Sequence, residues 1–117
     1  MRRAQRLTQR REFTAVYRRG RAYRSELLIL RTLPSGQPVS RFGFTTRKAL
    51  GKAVVRNRLK RRLREAVRSL PVAPGWDMVL NARSGAVGVD YHRLREAVAD
   101  LMARAKVLEQ SEEDSPR

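Results

Sequence analysis

Residues 51–68 read Gly-Lys-Ala-Val-Val-Arg-Asn-Arg-Leu-Lys-Arg-Arg-Leu-Arg-Glu-Ala-Val-Arg, and the types and spacing of these residues suit them to phosphate chemistry. Val55, Leu59, Leu63, Ala66 and Leu70 recur at helical spacing and form an apolar stripe. Arg56, Asn57, Lys60, Arg61, Arg64 and Arg68 fall round the other side. Arg58 and Arg62 flank the stripe, where their stems can cover apolar surface while their heads reach outwards. A guanidinium matches phosphate oxygens in pairs and stacks on bases. Such a face is costly without a polyanion against it. Arg56/Lys60, Lys60/Arg64 and Arg64/Arg68 are like charges four residues apart, each weakening a helix by about 0.2–0.5 kcal/mol, and only Glu65 offers relief. A merely solvated face usually mixes signs.

The whole chain has the same bias. Its 117 residues suffice for one domain, and 27 Lys and Arg against 11 Asp and Glu give a formal net charge of +16. A polyanion would relieve the resulting self-repulsion. The chain has no cysteine, which excludes disulfides, thiol catalysis and Cys-ligated zinc and fits a reducing cytoplasm. No apolar run approaches the ~18 residues of a membrane span, and no apolar stretch follows the basic start Met1–Arg6, so neither a secretory signal nor a membrane partner is expected. Nor are clustered carboxylates present of the kind that metal-dependent phosphodiester hydrolysis uses. Glu12, Glu26, Glu65, Asp77, Asp90, Glu96 and Asp100 are scattered, and His92 is the only histidine. No catalytic residue and no metal ligand is expected on the chain itself.

The elements that must position the basic helix can be placed from periodicity and breakers. Thr8 is suited to cap a first helix running to about Arg19, with Gly20 past its end, and Phe13, Val16 and Tyr17 share one face of it. Leu27–Leu30 reads as a strand, and 34–38 as a turn. From Arg41 to Arg47, Phe42, Phe44 and Thr46 alternate with Arg41, Gly43, Thr45 and Arg47, which predicts a second strand. The basic helix follows from about Val54 to Ser69, stopped by Pro71, Pro74 and Gly75. Trp76 to Asn81 alternates as another strand. Asp90 is placed to cap a last helix with Leu94, Val98, Leu101, Ala105 and Leu108 on one side. The pattern is helix, two or three strands, helix, strand, helix, and the expectation is an α+β domain over residues 1–108, with helices on a single mixed sheet of about four strands, in the order α-β-β-β-α-β-α where the third strand is counted. Residues 109–117 read as an acidic disordered tail.

A DNA-recognition helix does not fit, because a helix-turn-helix needs a preceding helix and a short turn, and here a strand precedes. Membrane-surface helices carry Trp or Phe on the apolar face, which this stripe lacks. No DNA partner is expected.

Arg56-Asn57-Arg58, followed by Leu-Lys-Arg-Arg-Leu-Arg-Glu-Ala, resembles the signature of the bacterial ribonuclease P protein-subunit family. Gly43-Phe44-Thr45-Thr46-Arg47-Lys48 and Gly51-Lys52-Ala53-Val54 resemble that family's strand and glycine loop. Arg10-Arg11-Glu12-Phe13 with Tyr17, Arg19 and Gly20 resembles its first helix. Residues 76–83, and Asp90-Tyr91 with Leu94, resemble its later strand and last helix. The likeness spans roughly residues 6–108.

The resemblance implies a left-handed strand–helix–strand crossover, against the right-handed rule. It implies a subunit that assists an RNA enzyme removing the 5′ leader of precursor tRNA, with Mg2+ held mainly by the RNA. The partners would be the ribonuclease P RNA, met by Lys48, Lys52, Arg56, Asn57, Arg58, Lys60, Arg61, Arg62, Arg64 and Arg68, and the leader. Phe13, Tyr17, Arg31 and Phe44 would line the leader cleft. Arg31 stands where the family often has an aromatic, and Ala49 where it often has a lysine. The alternative is a structural RNA-binding protein of ribosomal type with no role in cleavage.

Overall fold

The computed structural model describes residues 2–109. Its main elements are α1 (Arg10–Arg19), β1 (Arg21–Arg24), β2 (Leu28–Pro34), β3 (Arg41–Thr45), α2 (Ala53–Arg68), β4 (Trp76–Ala82) and α3 (Tyr91–Ala105). The order is the expected α-β-β-β-α-β-α. The strands form one mixed sheet, β1-β2-β4-β3, in which β1–β2 and β2–β4 are antiparallel and β3–β4 parallel. α2 makes the connection between the parallel pair.

β4 is the centre of the fold. Met78, Val79 and Leu80 are all fully buried, because both faces of this strand are covered. One face carries Leu28 and Leu30 of β2, Phe42 of β3 and Met78 and Leu80 of β4. These pack with Leu59, Leu63, Ala66 and Val67 of α2 and with Leu94, Val98, Leu101 and Met102 of α3. On the other face Val79 is covered more thinly, by Leu7 and Val16, with Phe13 and Leu33 against them.

Two glycines let α1 lie close to the sheet. A Cβ on Gly20 would stand 2.5 Å from the Val16 carbonyl oxygen and 2.7 Å from that of Thr32. At Gly43 the Phe13 ring takes the space instead, and a Cβ there would be 2.4 Å from Cε1. An ionic network adds to this contact. Arg41 donates from Nε and Nη2 to the two carboxylate oxygens of Asp77, at 2.9 and 2.8 Å, and from Nη1 to Glu12 Oε2 on α1 at 2.5 Å. The other Glu12 oxygen accepts from the N–H groups of Thr8 (3.0 Å) and Gln9 (2.8 Å). Gln9, not Thr8, is the N-cap residue, so the cap expected at Thr8 is corrected. Glu12, at N3, supplies the carboxylate half of a capping box, accepting from the N–H of the N-cap Gln9 and of Thr8 before it.

Asp90 caps α3 as expected, accepting from the Arg93 N–H at 2.9 Å. The helix stops at Lys106, whose φ of 59° is left-handed. Leu108 therefore lies beyond it, bridged to Val72. Glu109, assigned to the tail, donates its N–H to the Pro71 carbonyl at 2.7 Å. The rest of the expected tail lies outside the described residues.

Two outcomes test this account of α1. Gly43→Ala should lower stability by roughly 1–3 kcal/mol, as overpacking does, measured by urea unfolding. Glu12 is held below its ordinary value of 4.5, chiefly by the Gln9 N–H, with Thr8 and Arg41 adding and burial opposing. Its charge thus stabilises the fold above pH 4.5, and the contribution disappears as the pH falls through the lower, folded value. Glu12→Gln should cost roughly 1 kcal/mol at pH 7. The gap from wild type should close on acidification.

Candidate nucleic-acid interface

α2 is anchored by Leu59, Leu63, Ala66 and Val67. It packs against α3 and β3, which turns the buried stripe towards Val67 and leaves Val55 and Leu70 half-buried. Asn57, Arg58, Arg61 and Arg68 are exposed, whereas Arg56, Lys60, Arg62 and Arg64 are half-buried. Arg58 therefore stands on the open face rather than at its margin. Arg62 does flank the core, donating from Nη1 to the Val89 carbonyl at 3.3 Å. Arg56 folds back to donate from Nε to the Gly51 carbonyl at 3.2 Å.

The helix start is unusually positive. No acid occupies its first turn and no side chain caps it, so its free N–H groups and the positive end of its dipole stand uncompensated. Exposed Lys48 and Lys52 flank this end. Among the described residues no carboxylate pairs with any α2 cation; the ion pairs there are those of Arg41. A phosphate is the natural ligand of such an end.

On the opposite face of the sheet, beyond the cover of α1, lies a cleft of about 450 Å³ lined by Tyr17, Ile29, Arg31, Thr45, Arg47, Asn81 and Arg83, among others. Asn81 organises it. Its Nδ2 donates to the Tyr17 hydroxyl at 2.5 Å and to Thr45 Oγ1, and its Oδ1 accepts from Arg31 Nε at 3.2 Å. The Arg31 guanidinium lies over the Tyr17 ring, 4.6 Å from its centroid, a contact worth about 0.5–1 kcal/mol at an exposed site. Tyr17 remains 41% exposed.

The four residues expected in a cleft are thus separated. Tyr17 and Arg31 meet there. Phe13 lies one turn earlier, its ring on Gly43 and the small core. Phe44 is on the other face: it pairs in register with Leu80 and packs with the α2–α3 core, because strand alternation puts it on the side of Phe42. Asn81, Arg47 and Arg83 were not among the expected cleft residues. Asn81 had a signal, an amide directly after the apolar run Met78-Val79-Leu80. Arg47 lines the cleft and Lys48 follows it, so the two basic surfaces join through the β3–α2 connection.

An α+β sheet with a cationic crossover helix and a basic, aromatic cleft defines a small RNA-binding protein. The comparisons give its family. The Ribonuclease P family model matches residues 1–106. The ribonuclease P protein component of Roseiflexus castenholzii is 43% identical, covering 99% of this chain and 98% of its own. That of Dehalococcoides mccartyi is 41% identical, with 97% and 94% covered. The Thermotoga maritima RNase P protein superposes with a TM-score of 0.79 at 30% identity, over 85% of this chain and 96% of its own. The Staphylococcus aureus structure, at 24% identity, shares the fold with a TM-score of 0.82, over 90% and 98%. The chain belongs to the ribonuclease P protein family, whose members are protein components of a ribonucleoprotein.

Arg61→Ala should lower the log–log salt slope of binding to a ribonuclease P RNA by about 0.9, one duplex phosphate. Filter binding across a salt series reads this directly, with Glu65→Ala as the control that leaves the slope in place.

Proposed function

We propose that the chain binds the catalytic RNA through the open face and N-terminus of α2, and holds the 5′ leader of precursor tRNA in the cleft of Tyr17, Arg31 and Asn81. The observation that carries this reading is the junction of the two basic surfaces at Arg47–Lys52. A strand lying in the cleft would run directly to RNA docked on α2. The Tyr17 ring can stack any base, which suits leaders of differing sequence. Arg31, Arg47 and Arg83 would neutralise phosphates that otherwise repel the RNA subunit.

Among the described residues no three His, Cys, Asp or Glu side chains gather as a metal site. The hydrolysis, with its Mg2+, is assigned to the RNA. The protein's part is to raise affinity for substrate and so to lessen the Mg2+ the RNA needs. Its working place is then the cytoplasm, where precursor tRNA is made.

The test is cleavage of precursor tRNA by a bacterial ribonuclease P RNA at low Mg2+. Addition of the protein should restore cleavage, while protein alone should give none. Tight RNA binding without rescue would favour the structural, ribosomal-type alternative. Tyr17→Ala should weaken binding of substrate with a leader roughly tenfold and leave mature tRNA unchanged. Equal losses for both RNAs would remove the cleft assignment.

A further inference from the structure

A second basic pocket, of about 590 Å³, opens on the helix-covered side of the sheet between the end of α3 and the β1 edge. Tyr23 and Trp76 lie in its wall, both half-buried and packed on the main core. Register puts them on one face: Tyr23 is opposite Leu30, and Trp76 opposite Pro34. Arg19, Arg21, Arg104 and Lys106 surround them, and among the described residues no carboxylate lines the pocket. Arg104 is tethered, donating from Nη1 to the Arg24 carbonyl at 2.9 Å. Arg19, Arg21 and Lys106 are exposed. A neighbouring groove along α3 sets Glu26 and Asp100 among Arg93 and Arg104, so its charges mix and it selects no anion.

This pocket is distinct from the Tyr17 cleft. Thr32 lines it, whereas the adjacent Arg31 lines the cleft, and successive strand residues point to opposite faces. Along β4, Trp76 and Asn81 are five residues apart, about 17 Å.

Aromatic surface ringed by cations that no carboxylate among the described residues pairs fits a ligand that has both a base and a phosphodiester. We propose that this pocket binds an unpaired nucleotide of RNA, its base against Tyr23 and Trp76 and its phosphates against Arg19, Arg21 and Lys106. The α3 end then holds a strand separate from the one in the cleft and from the RNA on α2. The inference does not rest on the leader reading. A bare polyanion would use the cations and leave the rings unused.

Trp76 is the only tryptophan of the chain, so its fluorescence reports this pocket. The full-length protein is titrated with a five-residue oligouridylate at a salt concentration where circular dichroism shows folding complete. Saturable quenching is expected. Arg19→Ala/Arg21→Ala should lower the salt slope of that quenching by about 1.4, two single-strand phosphates, whereas Tyr17→Ala should leave the quenching in place. Inorganic polyphosphate should not reproduce it. In a second measurement, 4-thiouridine in the oligomer should cross-link to peptides holding Tyr23 or Trp76. The proposal is overturned by an absence of saturable quenching, an equal response to polyphosphate, an unchanged slope in the double variant, or cross-links confined to the cleft and α2.

Discussion

Arg41 reaches from β3 to Asp77 on β4 and to Glu12 on α1, joining three elements by charge-assisted hydrogen bonds. The parallel register puts Arg41 directly opposite Asp77, so the sheet itself prepares the fork. Loss of Arg41 would leave the buried Asp77 carboxylate unmatched, a far larger cost than loss of Glu12, after which Arg41 still holds Asp77. The consequence is geometric. With Glu12 fixed, Phe13 settles on Gly43 and Val16 among Leu7 and Val79, and Tyr17, one turn further, is left at the margin of the sheet. The cleft exists because α1 is held where it covers only part of that face.

The remaining cations are used differently. A protein with so few carboxylates cannot balance its arginines internally, and the described fold does not. It seats the apolar sides of α2 and α3 in one core and leaves guanidinium and ammonium groups on the surface. At α2 the helix dipole adds to them, and at the cleft Asn81 aligns a guanidinium with a ring. Local repulsion of this kind weakens the free protein and is relieved by RNA. Family membership and the physical reading of the surface therefore agree on the class of partner.

Much of this was legible in the residues. The stripe of α2, the alternation of β3 and β4 and the Asp90 cap are local patterns, and each became the element it predicts. β1 was not located, because Arg21-Ala22-Tyr23-Arg24 is a solvated edge strand without an alternating apolar signal. Its pairing with β2 creates it. The helix cap lies at Gln9 rather than Thr8, in register with Glu12 at N3, whose carboxylate accepts from the Gln9 N–H.

By itself the sequence determined the cationic character of α2, from spacing within one element, and the fold class, from the order of such local patterns, while the family followed from the resemblance of motifs spread over residues 6–108. Only the tertiary structure decided which side chains share a cleft. Phe13, Tyr17, Arg31 and Phe44 were equally plausible neighbours along the chain. Alternation sends Phe44 to the helix-covered face, the bare Cα of Gly43 draws Phe13 into packing, and Asn81, fifty residues from Arg31, completes the site. Those contacts depend on which face α1 covers, and that is fixed by long-range packing and the Arg41 network, which no local periodicity encodes.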